Sequence, residues 1–171
     1  MNRRHEQRGF TLVELIIVII VIAILAALAI PNFTVSAQDA KVSTLSGDLA
    51  VMRNAISLYY HQHNGTWPGQ KDEATGAAVA AAADAKDAFI AQLTQYSDAD
   101  GKTSTDVDAS YPYGPYLVKG LPANPIVGSA DVRAVDVVGP PTYDSNNQDE
   151  GWVYAYKSGR IIANHDDYDD L

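Results

Sequence analysis

A chain of 171 residues holds one small domain and little more, and the absence of cysteine excludes disulfides, thiol nucleophiles and cysteine-ligated metals. The formal charge of −9 is unevenly placed: Arg3, Arg4 and Arg8 against Glu6 make the first nine residues +2, which leaves about −11 for the remainder. So acidic a remainder repels phosphate backbones, and nucleic acid is not an expected partner.

The first element starts at Gly9. The stretch GFTLVELIIVIIVIAILAALAIP is interrupted only by Thr11 and Glu14, and from Leu15 to Ile30 it has no polar side chain. As a helix rising about 1.5 Å per residue, Phe10 to Ile30 is long enough to cross a hydrocarbon core of about 30 Å. The basic leader before it and the acidic remainder after it predict a cytoplasmic amino terminus with the bulk of the chain on the other side of the membrane. Glu14 is the unusual residue, because a carboxylate within an apolar helix costs roughly 2.5–3.5 kcal/mol on insertion scales. One reading is interfacial snorkelling near a helix start, where negative charge is welcome. The other supplies a cation at the same depth: cleavage between Gly9 and Phe10 would create a free amine four residues from Glu14, in the same chain or in a neighbouring copy. A secretory signal peptide is the competing reading, with Ala26, Ala27 and Ala29 as small residues near a cut. The uninterrupted apolar length and the helix that follows argue against removal.

Beyond Pro31, which lacks a backbone donor and is expected to kink or locally open the helix, apolar residues fall at Val42, Leu45, Leu49, Met52, Ile56 and Tyr59. That 3,4 spacing predicts an amphipathic helix with one narrow buried stripe, stopping at Asn64-Gly65. The helix therefore changes character near Pro31, from apolar on every face to apolar on one. Thr66-Trp67-Pro68 completes a turn whose aromatic is expected to pack on the helix. Residues 69–83 read as a low-complexity loop. Phe89, Leu93 and Tyr96 place a second amphipathic helix over Asp84–Tyr96.

Two acidic loops follow as candidate calcium sites, since calcium takes hard oxygen ligands. In the first, Asp98, Asp100, Asp106 and Asp108 flank Gly101, but Lys102 stands where a third ligand is needed and the spacing is not that of an EF-hand, so a solvated acidic turn is the plainer reading. The second comprises Asp144, Asn146, Asn147, Asp149 and Glu150. Between them, Tyr111 to Tyr116 and Leu121 to Pro125 form a proline-stiffened loop whose tyrosines are assigned to the core ahead of an adhesive surface. Val132 to Val138 is a predicted strand. Trp152–Tyr156 and Arg160–Asn164 form a hairpin about Ser158-Gly159. His61 and His63 cannot share a helix face, and no hydrolase, phosphate-loop or dinucleotide motif is present, so neither a metal centre nor enzymatic activity is expected.

The basic leader, G-F-T-L-V-E-L and the apolar helix ending in I-P-N-F resemble the type IV pilin and type II secretion pseudopilin superfamily over about the first 35 residues. The G-P-Y and L-P-x-N-P stretches are similar to those of pseudopilin domains, whereas the lack of cysteine departs from the many pilins with a disulfide-closed carboxy-terminal loop. The resemblance implies that a prepilin peptidase cleaves after Gly9 and methylates Phe10, and that Glu14 guides subunit docking. Some major pseudopilins bind calcium in a late loop, and the resemblance makes Asp144, Asn146, Asn147, Asp149 and Glu150 the candidate counterpart here, although their register does not match such a loop and no cofactor is expected.

The expected fold is α+β: a leader (1–9), a membrane and filament-core helix (10–30), its amphipathic continuation (31–63) and a globular domain (64–171) with a small antiparallel sheet. The expected function is that of a filament subunit. It would be stored in the lipid bilayer of the inner membrane with its domain in the periplasm, then assembled as a homo-oligomer on an inner-membrane platform with minor pilins or pseudopilins. A major pseudopilin of type II secretion is preferred to a type IV pilin, and a membrane-anchored domain that never polymerises is the reading from a different class.

Overall fold

The structure is a computed structural model that describes residues 10–171; the side-chain surroundings of residues 28–35 fall outside the description. The chain divides into two compact units, Met1–Ala40 and Lys41–Leu171. The first helix, α1, spans Leu12–Gln62 and is continuous in its backbone through Pro31.

In the second unit, α1 buries the stripe that the spacing predicted. Leu45, Leu49, Met52, Ile56 and Tyr59 are each no more than 1% exposed, while Val42 at the upper end is half-buried. Asn64 and Gly65 both adopt positive φ (54° and 77°), and the Gly65 N–H donates to Tyr60 O at 3.0 Å, closing the helix as anticipated. Trp67 stacks on Tyr60 with ring centroids 3.9 Å apart, so the turn's aromatic does pack on the helix.

The second helix, α2, spans Ala82–Thr94 and turns Ala85, Ala88, Phe89, Gln92 and Leu93 inward. It ends before Tyr96, which sequence spacing had assigned to it. Gln95 is already extended (φ −119°, ψ 175°), and Tyr96–Ser97 forms β1, antiparallel to β2 at Thr103–Ser104. The period-3.6 match at Tyr96 arose because the residue is half-buried from a strand rather than a helix.

The main sheet has β4 (Trp152–Ala155) at its centre, paired antiparallel with β5 (Arg160–Ala163) and parallel with β3 (Val132–Val135). The hairpin is as expected. The sheet is mixed, however, and β3 is shorter than the predicted 132–138 strand. Gly159 sits at the hairpin turn with φ 69°, and a Cβ there would come within 2.2 Å of the Trp67 ring, so both conformation and space require glycine. All four residues of β4 are buried, as suits a central strand covered on both faces. Phe89 of α2 meets Tyr154 of β4 at 4.0 Å between ring centroids, and Tyr154 Oη donates to Pro68 O at 2.8 Å. One core thus joins α1, α2 and the sheet.

Candidate functional site

α1 begins at Leu12 because Thr11 caps it. The Glu14 N–H donates to Thr11 Oγ1 (3.2 Å), while Glu14 Oε2 accepts from both the Thr11 N–H (3.0 Å) and the Thr11 hydroxyl (2.9 Å). This reciprocal pairing is a capping box, with Thr11 at the N-cap and Glu14 three residues on. The T-x-x-E pattern is present in the sequence, and it gives Glu14 a partner three residues away in its own chain. The carboxylate is thereby held at the amino end of the helix, where the backbone dipole favours negative charge. Phe10 is adjacent and 80% exposed. Gly9 lies outside the described residues, and so do the side-chain surroundings of Pro31.

From Leu12 to Leu25 every large apolar side chain is exposed, none by less than 41%. Among the described residues no helix is long and apolar enough to cross a membrane. The described exposed run reaches Ala27, roughly four turns, and the sequence carries the apolar stretch on to Ile30.

The two acidic loops are organised by protein donors. Asp98 Oδ1 accepts from the Asp100 and Lys102 N–H groups, both at 2.9 Å, and Asp100 Oδ1 lies 3.5 Å from Lys71 Nζ. In the later loop Arg133 occupies the place proposed for a cation: its Nη1 is 2.6 Å from Asp144 Oδ2 and its Nε 3.3 Å from Glu150 Oε2. The second contact meets the distance of an ion pair but lacks hydrogen-bond geometry, and both atoms are buried. Desolvation pushes the Glu150 carboxyl up, whereas hydrogen bonds from Asn146 and Asn147, then the arginine charge, hold Asp144 down. Asp149 is exposed. Among the described residues, His165, Asp166 and Asp167 form a metal-like grouping that is largely exposed and that sequence reasoning did not single out.

His63 is buried and stacked on Tyr59 at 3.6 Å and 6°, with Nδ1 2.9 Å from Tyr59 O and Nε2 3.1 Å from Ser97 Oγ. Burial lowers its pKa. His61 is exposed, so the two histidines point apart, as their spacing required. Tyr116 is pushed up to about 12, chiefly by desolvation; it packs half-buried against the core, and Tyr111 and Tyr113 are likewise half-buried, so these tyrosines border the core without being sealed in it.

Three buried amides fix the loops and were not anticipated. Asn124, from the L-P-x-N-P stretch, donates to Gly151 O (2.8 Å) and accepts from Ile126 N–H (2.9 Å). Gln92 accepts from Gly69 N–H and donates to Lys71 O and Gly101 O, each at 2.8 Å. Asn164 donates to Asn147 O (2.7 Å) and Glu150 O (3.1 Å). Each satisfies backbone groups in segments with no ladder of their own. The repeated prolines around Asn124 were the one signal that this loop is ordered.

Residues 4–30 match the family described as the prokaryotic N-terminal methylation motif. The chain is also similar to curated proteins: 38% identical over 84 residues to a fimbrial protein of Neisseria meningitidis serogroup B, covering 49% of this chain and 47% of that protein. These findings support the resemblance of the amino-terminal part of the chain to the type IV pilin and type II secretion pseudopilin superfamily. Its likeness to the type IV major pilin protein PilE of Neisseria gonorrhoeae is 38% over 87 residues, covering 51% of this chain and 50% of that one. Its likeness to type II secretion system core protein G of Pseudomonas aeruginosa is 37% over 57 residues, covering 33% and 40%. The chain spans about half the length of the curated pilins it matches, and less of core protein G. No solved structure matches it. The arrangement is nonetheless that of a pilin-like α+β subunit, with an amino-terminal helix followed by small antiparallel and mixed sheets.

Proposed function

We propose that this pilin-class structural subunit polymerises from the inner membrane into a helical filament, as a major pseudopilin of type II protein secretion. The observation that carries the reading is the contrast along α1: a helix whose described apolar side chains are all exposed from Leu12 to Leu25, continuing into a stripe that is fully buried from Leu45 to Tyr59. An exposed helix that is apolar on every face is suited to lipid or to copies of itself. In this reading residues 1–9 are a leader removed by a prepilin peptidase after Gly9, Phe10 becomes the methylated terminus, and residues 10–30 pass from bilayer to filament core. Residues 31–63 continue that helix, with Pro31 as its point of adjustment, and residues 64–171 complete the periplasmic domain. Glu14, already set by Thr11 at the helix start, receives the amine of an incoming copy at the assembly platform, where minor subunits begin the filament. The superfamily's subunits are structural, and catalysis has no part in this reading.

A type IV pilus subunit is the second reading, favoured by the longer matching stretches shared with the fimbrial relatives. The absence of cysteine and the ordered L-P-A-N-P loop favour secretion. The two separate in a deletion strain. Retention of secreted enzymes supports the secretion reading, whereas normal secretion together with loss of surface filaments composed of this protein overturns it in favour of the pilus.

A further inference from the structure

Residues 136–151, which carry the chain from β3 to β4, include none of the described helices or strands, so their order depends on polar contacts. A calcium ion in the acidic part of this connection would need about six to eight oxygen ligands at roughly 2.3–2.6 Å. The central oxygens already have protein donors. Asp144 Oδ1 accepts from the Asn146 N–H (2.9 Å) and from the Asn146 side-chain amide (3.1 Å). Asp144 Oδ2 accepts from the Asn147 amide at 2.7 Å and lies 2.6 Å from Arg133 Nη1. The carbonyls of Asn147 and Glu150 both receive the buried Asn164 amide, at 2.7 and 3.1 Å. An ion would have to turn each of these donors away, so the donor set does not fit calcium.

A fixed positive group stands there instead. The parallel register pairs Arg133 of β3 with Val153 of β4, and from that position the guanidinium reaches both ends of the acidic segment, Asp144 through Nη1 and Glu150 through Nε. The side chains of Arg133, Asp144 and Glu150 are 25%, 17% and 21% exposed. A planar, delocalised and weakly hydrated cation suits a half-buried place between two carboxylates better than an ammonium does. Lys86, 2.6 Å from Asp131, is the other cation that Glu150 senses, so two positive groups face three carboxylates. Without Arg133 one would face three.

We propose that Arg133 is the built-in cation of this loop: its guanidinium holds Asp144 and Glu150 together as a bound divalent ion would, so residues 144–150 keep their order without calcium. The inference concerns the domain alone and holds whether the chain serves a secretion filament or a pilus. It also specifies an exchange. The guanidinium and calcium compete for the same carboxylates, and removing the first creates a need for the second.

The test uses the full chain extracted in detergent and melted in excess chelator or in millimolar calcium chloride. The unaltered protein should have the same thermal midpoint in both. Arg133→Ala should melt several degrees lower in chelator, because two half-buried carboxylates lose their cation, and calcium chloride should bring its midpoint back toward the unaltered value. Lys86→Ala removes the same charge without touching the Arg133 contacts, and should show no calcium response. A rise in the midpoint of the unaltered protein on adding calcium would overturn the proposal, as would an Arg133→Ala variant that melts with the unaltered protein or whose loss calcium leaves unchanged. An equal response from Lys86→Ala would assign the effect to general charge and overturn it too. If Arg133→Ala does not fold in chelator, refolding in calcium chloride decides: recovery supports the proposal, and failure in both buffers overturns it.

Discussion

The two halves of α1 share a helix but not a fate. From Leu12 to Ala27 the side chains are exposed on all faces, whereas from Leu45 to Tyr59 one stripe is sealed and the others face outward. Residue type does not distinguish them, since aliphatic side chains supply most of the apolar positions of both. What differs is the supply of partners. The domain half finds α2 and the sheet within its own chain, while the apolar half is exposed and, in the proposed reading, is covered by lipid or other copies. Stability and assembly are therefore written on separate stretches of one helix, and mutations should separate them.

The sharpest separation is expected at Glu14. Glu14→Ala should abolish filament formation while leaving the thermal midpoint of the detergent-extracted protein where it was; normal filaments from this variant would remove the docking role. Next in size, Trp152→Ala should destabilise the domain by roughly 3–5 kcal/mol, because a fully buried indole leaves a cavity and an unfilled acceptor at Pro122 O, now 2.9 Å from Trp152 Nε1. Ile17→Ala, of similar apolar character but exposed, should not move the same denaturation midpoint. If both variants shifted it equally, the two halves of α1 would not be energetically distinct.

A smaller effect is expected at Asn124. Asn124→Ala strips partners from Gly151 O and the Ile126 N–H, and should cost about 1–3 kcal/mol, whereas Asn146→Ala in an exposed turn should cost less than about 1 kcal/mol. Denaturant titration of the two variants checks the order. Smallest is the pH effect of His63. Its folded pKa lies below the ordinary 6.5, so the folded state binds fewer protons than the unfolded chain. The stability it contributes is present above 6.5 and is lost as pH falls from there through the lowered value. His63→Phe should flatten that acid limb in a series of thermal melts, and an unaltered acid limb would show that other groups set it.

The elements built on periodicity were legible before the structure. The apolar run, the 42–59 stripe, the Asn64-Gly65 stop and the carboxy-terminal hairpin all follow from side-chain spacing and backbone permissiveness. The α+β class followed from them. Partner choice was less legible. That β3 lies parallel to β4 depends on a long connection through residues 136–151, and no local signal specifies its direction. Tyr96 matched a helical period by coincidence. Arg133 was invisible as the counterpart of Asp144 and Glu150, because it is more than ten residues upstream and reaches them only through the parallel pairing. At the candidate site, Glu14 was prominent because it is costly, but Thr11 was passed over, since a lone hydroxyl in an apolar run attracts no attention unless the T-x-x-E spacing is weighed.

Amino-terminal and intact mass analysis of the protein, extracted from membranes and from any sheared filaments, tests the conversion from membrane protein to filament core most directly. The chain should begin at Phe10, carry one methyl group on its amine, and have the same mass in both fractions. An intact chain beginning at Met1, or one beginning near residue 30, would contradict the account.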